Sequence, residues 1–372
     1  MAAAAAFTAA AIASPPGAAA ALAHAPAGPR SGPFRRVNLV LVLPGLLTPS
    51  PVEADAVAPA LARILDASDV PSRVADGIGA VLAPRYGVAR QADWPLAPIR
   101  AAAAGLAPGN AYWLAADPVT LAVGQYDVGL EGAVTDLAAD ETAAFLATLN
   151  AHFAADGLRF VAPRPDAWFV CAAAPPALVT HPLAAAAGRS LRALAVTGGD
   201  AATWTRWQHE IQMLLHEHPA NGARIARGLA PVNSVWFAEG GTLPARPTAA
   251  AGVPMTFAAP GALAAALAAH AGVPAQPLPA TLDAALAMAP GATTTLVVPD
   301  APTDLAAVEH GWAAPAWRAL ARGRIATVEI VADGAGEAVV WTTRRPGFWR
   351  RLAAGRRAPA LAPLLARARV EP

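Results

Sequence analysis

The sequence predicts a layered α/β fold, a mixed sheet flanked by helices. Three observations carry it. Apolar runs of strand length recur along the chain, helical patterns lie between several of them, and the last two runs are joined by an Asp-Gly turn. The first run, Val37 to Leu43, is apolar at every position but Asn38, as a strand buried on both faces requires, and Pro44 and Gly45 end it. Further strands are expected at residues 111–116, 158–163, 167–172, 233–238, 293–299, 325–332 and 337–343. "TAAFLATLNAHFAADG" and "GALAAALAAHAG" read as helices, the first from apolar residues spaced by three and four, the second from its alanines and flanking glycines. The "DGAG" hairpin is expected to close one edge of the sheet. The Pro-, Gly- and Ala-rich stretch from about 244 to 290 reads as a cover or insertion.

The totals remove several kinds of chemistry. Of 372 residues 14% are charged and the net charge is +1, so no global field steers the chain toward nucleic acid or an acidic substrate. Every basic residue is arginine; a Schiff-base lysine and a Walker A lysine are both excluded. Cys171 stands alone, which rules out an internal disulfide and a cysteine-built zinc site, and its setting "AWFVCAAA" reads as an inert thiol in a strand. Residues 1–34 lack the charged start of a secretory signal and are broken by Pro15 and Pro16, so they read as a disordered Ala/Pro-rich extension of a cytoplasmic protein without a transmembrane segment. The α/β domain is expected over 35–345, followed by a basic, arginine-rich tail over 346–372.

Polar chemistry gathers in one place. Residues 208–236, "QHEIQMLLHEHPANGARIARGLAPVNSVW", hold three of the eight histidines and two of the ten glutamates. Asp200 can cap a helix that Pro219 ends. Trp204, Trp207, Ile211, Leu214, Leu215 and His218 share its core side, and His209, Gln212 and His216 a neighbouring one. A short helix carrying Arg224 and Arg227 stops at Gly228, and "PVNSVWFAEGG" reads as loop, strand and glycine-rich loop. His216, Glu217, His218, Asn221, Arg224 and Asn233 therefore stand at element ends, where side chains can converge on a small ligand. Arginine's planar fork suits phosphate or carboxylate. A His-Glu-x-x-His zinc motif fails because Met213 takes the place of the second histidine.

On these residues the chain resembles the bacterial RpfE-type regulatory proteins, a family described as related to phosphoglycerate mutases. The resemblance runs through "HEHPANGARIARGLAPVNSVWFAEGG", "AYWLAADPVTL" and "VEHGWAAPAWRALARGRI". His218, Pro219, Asn221, Arg224, Gly228, Pro231 and Asn233 are also similar to a block of the archaeal-type cofactor-independent phosphoglycerate mutases. The resemblance implies an alkaline-phosphatase-like fold in degenerate form and a corner for a small phosphorylated or carboxylated metabolite. For an active mutase or phosphatase it implies two Mn or Mg ions and a serine or threonine nucleophile. Thr48 and Ser50 are the nucleophile candidates; Asp300, Asp304 and His310 are the metal candidates. The chain departs from the pattern at the end of the first strand, where Pro44 and Gly45 replace an aspartate. The reading that follows is a regulatory protein that binds its ligand with little or no catalysis. The tail, with eight arginines from Trp341 onward, supplies a further alternative, a scaffold for nucleic acid or an acidic partner. Asp117-Pro118 reads as a turn.

Overall fold

A computed structural model describes residues 37–47, 58–123, 128–186, 191–248, 252–288, 294–298, 304–333, 336–345 and 358–369. The first apolar run forms β1 (Val37–Val42). Leu39 and Leu41 enter one core, Val40 and Val42 another on the opposite face, which is why the run carries no polar residue beyond Asn38. β1 lies inside a six-stranded mixed sheet with β2 (Ser72–Ala75), β8 (Met255–Ala258), β9 (Thr294–Val298), β10 (Ile325–Asp333) and β11 (Glu337–Arg344), in the order β2-β11-β10-β1-β9-β8. β1 pairs in parallel with β10 and β9; β10 and β11 form the antiparallel hairpin expected from the sequence. That hairpin does not close the sheet, because β2 pairs outside β11.

The second sheet is antiparallel. Its strands are β3 (Tyr112–Val123), β4 (Val128–Ala133), β5 (Leu158–Arg164), β6 (Ala167–Ala172) and β7 (Ser234–Thr242). Four follow the order β4-β3-β6-β5, and β7 pairs along the other edge of β3. The chain thus enters this sheet after β2 and returns to the first sheet at β8. Residues 244–290 are correspondingly no insertion, since they supply the edge strand β8 and the helix over 263–270 that packs beneath it.

Asp117-Pro118 lies within β3 and makes no turn. β6 pairs with β3 only over Tyr112 to Ala115, and β4 only from Val119 onward. The carbonyl of Pro118 accepts from Val134 N at 2.9 Å, and in a strand the N–H and C=O of one residue point to the same edge. Proline's missing donor therefore falls on the Val134 side, at the seam between β6 and β4, where it costs at most one ladder bond at the very end of the β4 pairing.

The helices are α1 (Pro59–Asp66), α2 (Gly77–Leu82), α3 (Leu96–Ala103), α4 (Ala139–Phe153), α5 (Ala201–His216), α6 (Pro219–Ala226), α7 (Leu263–His270), α8 (Leu282–Met288), α9 (Leu305–Val308), α10 (Ala314–Ala321) and α11 (Leu361–Arg369). A π-helical turn, Glu309–Ala313, joins α9 to α10. α4 and α5 cover one face of the antiparallel sheet through Phe145, Leu149, Phe153, Trp204, Ile211 and Leu215. α3 stands between the sheets. Its Leu96 and Ile99 join the core under β1, while Ala97 and Ala101 meet Trp113, Ala115 and Phe169 of the antiparallel sheet. Within the arginine-rich tail, α11 buries Leu361, Leu365 and Ala368 against the α1 side, and Arg369 Nε donates to Leu47 O at 2.8 Å. Among the described residues no helix is long and apolar enough to cross a membrane.

Candidate functional site

The corner between α5, α6 and β7 is built largely from bonds the chain makes to itself. Asn221, 2% exposed, donates to Leu215 O at 2.6 Å and Val232 O at 2.7 Å and accepts from Val232 N at 2.9 Å, tying three elements together. Asn233 exchanges two 2.8 Å bonds with the backbone of Leu121, continuing the β3–β7 ladder with its side chain. His218 caps α6: its Nδ1 accepts from Ala220 N at 3.2 Å, which leaves the proton on Nε2 to donate to Thr148 Oγ1 at 3.1 Å. Burial holds the imidazole below its ordinary pKa, in keeping with that neutral form.

Arg224 is fully buried. Its Nη1 meets Glu141 at 2.8 Å, its Nη2 meets Asp136 at 2.5 Å and its Nε donates to Ala230 O at 2.8 Å, so the whole fork faces protein. Arg227 also binds Glu141. Burial works against a charged Glu141, but the Ala138 N–H and the two guanidinium groups outweigh it and hold the carboxyl below its usual range. His216 and Glu217, by contrast, are exposed. With His209, Gln212 and Asn233 they line an open depression of about 490 Å³. Asp200 caps nothing in α5 with its side chain; it accepts from Ala177 N at 2.7 Å instead.

A more enclosed cavity of about 210 Å³ lies elsewhere, where the two sheets meet. It opens beside Asp333, the last residue of β10, whose carboxylate accepts from Gly45 N just after β1 at 2.6 Å. This is the carboxyl end of two parallel strands, the edge of an open α/β sheet where ligands characteristically bind. Asp76, Asp93, Asp117, Thr180 and Glu239 also line it, against apolar wall from Trp94, Leu96 and Leu263.

Arg100 stands behind two of these carboxylates, Asp117 and Glu239. It is the one charge in the apolar run "PLAPIRAAAAGL" of α3, and its guanidinium lies 5.6 Å from the centroid of the Phe169 ring. Its Nη1 meets Glu239 at 2.6 Å and its Nη2 lies 3.9 Å from Asp117. Glu239 pulls the pKa of Arg100 up. Asp117 receives much less: burial pushes its carboxyl up to about 6, Arg100 pulls down, and Glu239 and Asp166 push up again. Asp93 accepts from Thr180 Oγ1 at 2.6 Å and from Thr180 N; burial still raises its pKa against those bonds.

Glu239 reaches Arg100 because β7 bulges. Ala238 pairs with Ala115 and Gly241 with Trp113, so Glu239 and Gly240 together oppose Leu114, and Glu239 takes φ 62°. "EGG" is therefore strand and not the glycine-rich loop expected after it. A Cβ on Gly240 would stand 2.3 Å from the Tyr112 hydroxyl, and one on Gly241 2.5 Å from Pro95 Cβ, so neither position admits a side chain.

Sequence reading missed Arg100, Asp93, Thr180 and Glu239 as partners because they lie on four separate segments. The lone arginine in an alanine helix was the available signal. Two of the metal candidates, Asp304 and His310, are described, and both make local bonds. Asp304 caps α9 by accepting from Ala306 N at 2.9 Å and Ala307 N at 3.2 Å, and His310 Nδ1 bonds Ala306 O at 2.8 Å. Among the described residues no group of three or more His, Cys, Asp or Glu side chains is arranged to hold an ion. Thr48, Ser50 and Asp300 lie outside the described residues.

No family model matches the chain, and no curated protein does. Among solved structures it is similar to a cofactor-independent phosphoglycerate mutase from Thermoplasma acidophilum, with 12% identity, a TM-score of 0.41, and coverage of 84% of this chain and 91% of that one. It is likewise similar to the PH0037 protein from Pyrococcus horikoshii, with 13% identity, a TM-score of 0.42, and coverage of 84% and 88%.

Proposed function

We propose that the protein binds a small polar metabolite in the cavity between the sheets and acts through occupancy, the regulatory role that the RpfE-type resemblance implies. The observation that carries this reading is one partly enclosed space, at the carboxyl ends of β1 and β10, into which polar side chains from several separate segments converge. At about 210 Å³ it has room for a small metabolite. Its polar wall is acidic, and Arg100 is held by Glu239 and Asp117, so a phosphate ester finds repulsion there.

The test is a thermal-shift and calorimetry screen with small amines, polyols, amino acids and phosphoglycerates, on the native chain and on Ala184→Trp. Ala184 is an exposed residue of the rim, so the indole obstructs the cavity without entering a core. Saturable binding that Ala184→Trp abolishes supports the reading; binding indifferent to Ala184→Trp, or none at all, overturns it.

A second reading keeps the ligand at the corner expected from the sequence. It is favoured by His209, Gln212, His216, Glu217 and Asn233 lining one depression. Loss of 3-phosphoglycerate binding in His216→Ala, with Ala184→Trp unaffected, would establish it over the first.

A further inference from the structure

The cavity's charge arrangement says more about its ligand. Five carboxyl groups line it, from Asp76, Asp93, Asp117, Glu239 and Asp333. Two guanidinium groups answer them: Arg90 meets Asp76 at 3.1 Å, and Arg100 is divided unequally between Glu239 and Asp117. Asp333 accepts from the Gly45 N–H, and Asp93 accepts from Thr180 with Arg90 attracting it from further off. Asp117 is the outlier. It has only the distant edge of a guanidinium that already belongs to Glu239, yet it lies in the wall of the same space. Trp94 adds an aromatic ring to that wall. Carboxylates lacking a full counter-charge beside an aromatic ring are how proteins recognise organic cations, through Coulomb attraction together with the ring quadrupole.

Resting on the small-ligand reading above, we propose that the cavity takes a small organic cation, an amine or a guanidine, and that Asp117 makes its capture depend on pH. With the cavity empty, Asp117 carries a proton at low pH. As a cationic group enters, the proton leaves to solvent and the carboxylate takes the cation as its partner, so charge balances at each stage. The groups facing Asp117 are Arg100 from α3, Glu239 from β7 and Asp166 from the turn between β5 and β6, with Asp93, Asp76 and Asp333 across the cavity. Among these, Arg100 is the only partner that favours the charged form of Asp117. A second cation therefore has a place to fill.

The test uses the full chain with ethanolamine and agmatine as probes, and glycerol and 3-phosphoglycerate as comparators, by calorimetry at pH 5.0 and pH 7.5. A carboxyl titrating near pH 6 is about one-tenth ionised at the lower pH and almost fully ionised at the higher, so amine affinity should fall roughly tenfold on going to pH 5.0. Asp117→Asn should bind weakly at both pH values and lose the dependence. Glu239→Gln, which leaves Asp117 in place, should shift the dependence to lower pH, because it removes a neighbouring negative charge. The Asp117 carboxyl can also be followed directly by carbon-13 labelling, with Asp117→Asn for assignment. An ordinary carboxylate midpoint, or amine binding equal at the two pH values, overturns the proposal. Binding of glycerol or 3-phosphoglycerate that Ala184→Trp abolishes, with no amine or guanidine bound, overturns the cation class and leaves the small-ligand reading standing. No binding by any probe removes both.

Discussion

Two arginines, similar in sequence, have different fates because of what surrounds their forks. Arg224 meets two carboxylates and a carbonyl with all its donor directions, and so belongs to the fold. Arg224→Ala leaves Glu141 in a buried place with Arg227 as its one remaining cation, and the loss should be about 3 kcal/mol in urea unfolding. Arg100 has one firm partner and one distant one, and the distant one carries the pH response. Asp117 is raised from 3.8 to about 6 in the folded state. Its neutral form is the favoured one, so stability is undiminished below pH 4 and declines as pH rises toward 6. Asp117→Asn removes that decline; relative to the native chain it should gain on the order of 2 kcal/mol between pH 4 and pH 7, read from denaturation at a series of pH values. At this scale the sequence was partly legible. Asn221, His218 and Asn233 stand at element ends, as their flanking Pro219 and the following apolar strand foretold. Local pattern could not show that their hydrogen bonds return to the backbone, nor that Arg100 would meet Glu239 across 139 residues of chain.

Strands were read best where burial leaves a continuous or alternating apolar run. β1, β5, β6, β7, β9, β10 and β11 were all expected within a few residues of where they lie. β2 and β8 are four residues long, and β4 carries two glycines, so none has enough pattern to announce itself. β3 was read to its midpoint only, because Asp-Pro imitates a turn when nothing says that the partner strand changes there. Pro118→Ala should accordingly alter stability by less than about 1 kcal/mol, since it restores a single donor, opposite Val134, at the end of the β4 pairing. α11 offers the opposite case. Leu365 is 3% exposed in the shared core, and Leu365→Ala should lower stability by about 2 to 4 kcal/mol in equilibrium denaturation, showing that the tail is part of the folded domain.

The molecule is held together by the helix between its sheets. α3 gives large side chains to one core and alanines to the other, so the sheets approach as closely as Ala97 and Ala101 allow. Ala97, which has no exposed surface, cannot grow: Ala97→Leu should cost about 1 to 3 kcal/mol and disturb the cavity, weakening ligand binding along with stability. The nesting of one sheet within the sequence of the other also bears on how the chain is made. Residues 112–242 contain every strand of the antiparallel sheet, which can therefore close while the remainder is still being synthesised. β1 has no such option. Its neighbours β9 and β10 arrive late, and the Gly45 to Asp333 bond that marks the meeting of β1 with β10 spans 288 residues. On the ribosome a strand that is apolar from Leu39 to Val42 must wait, unpaired, for almost the whole translation time. A chaperone that shields residues 37–47 during that interval should raise the soluble yield more than one acting on the finished chain.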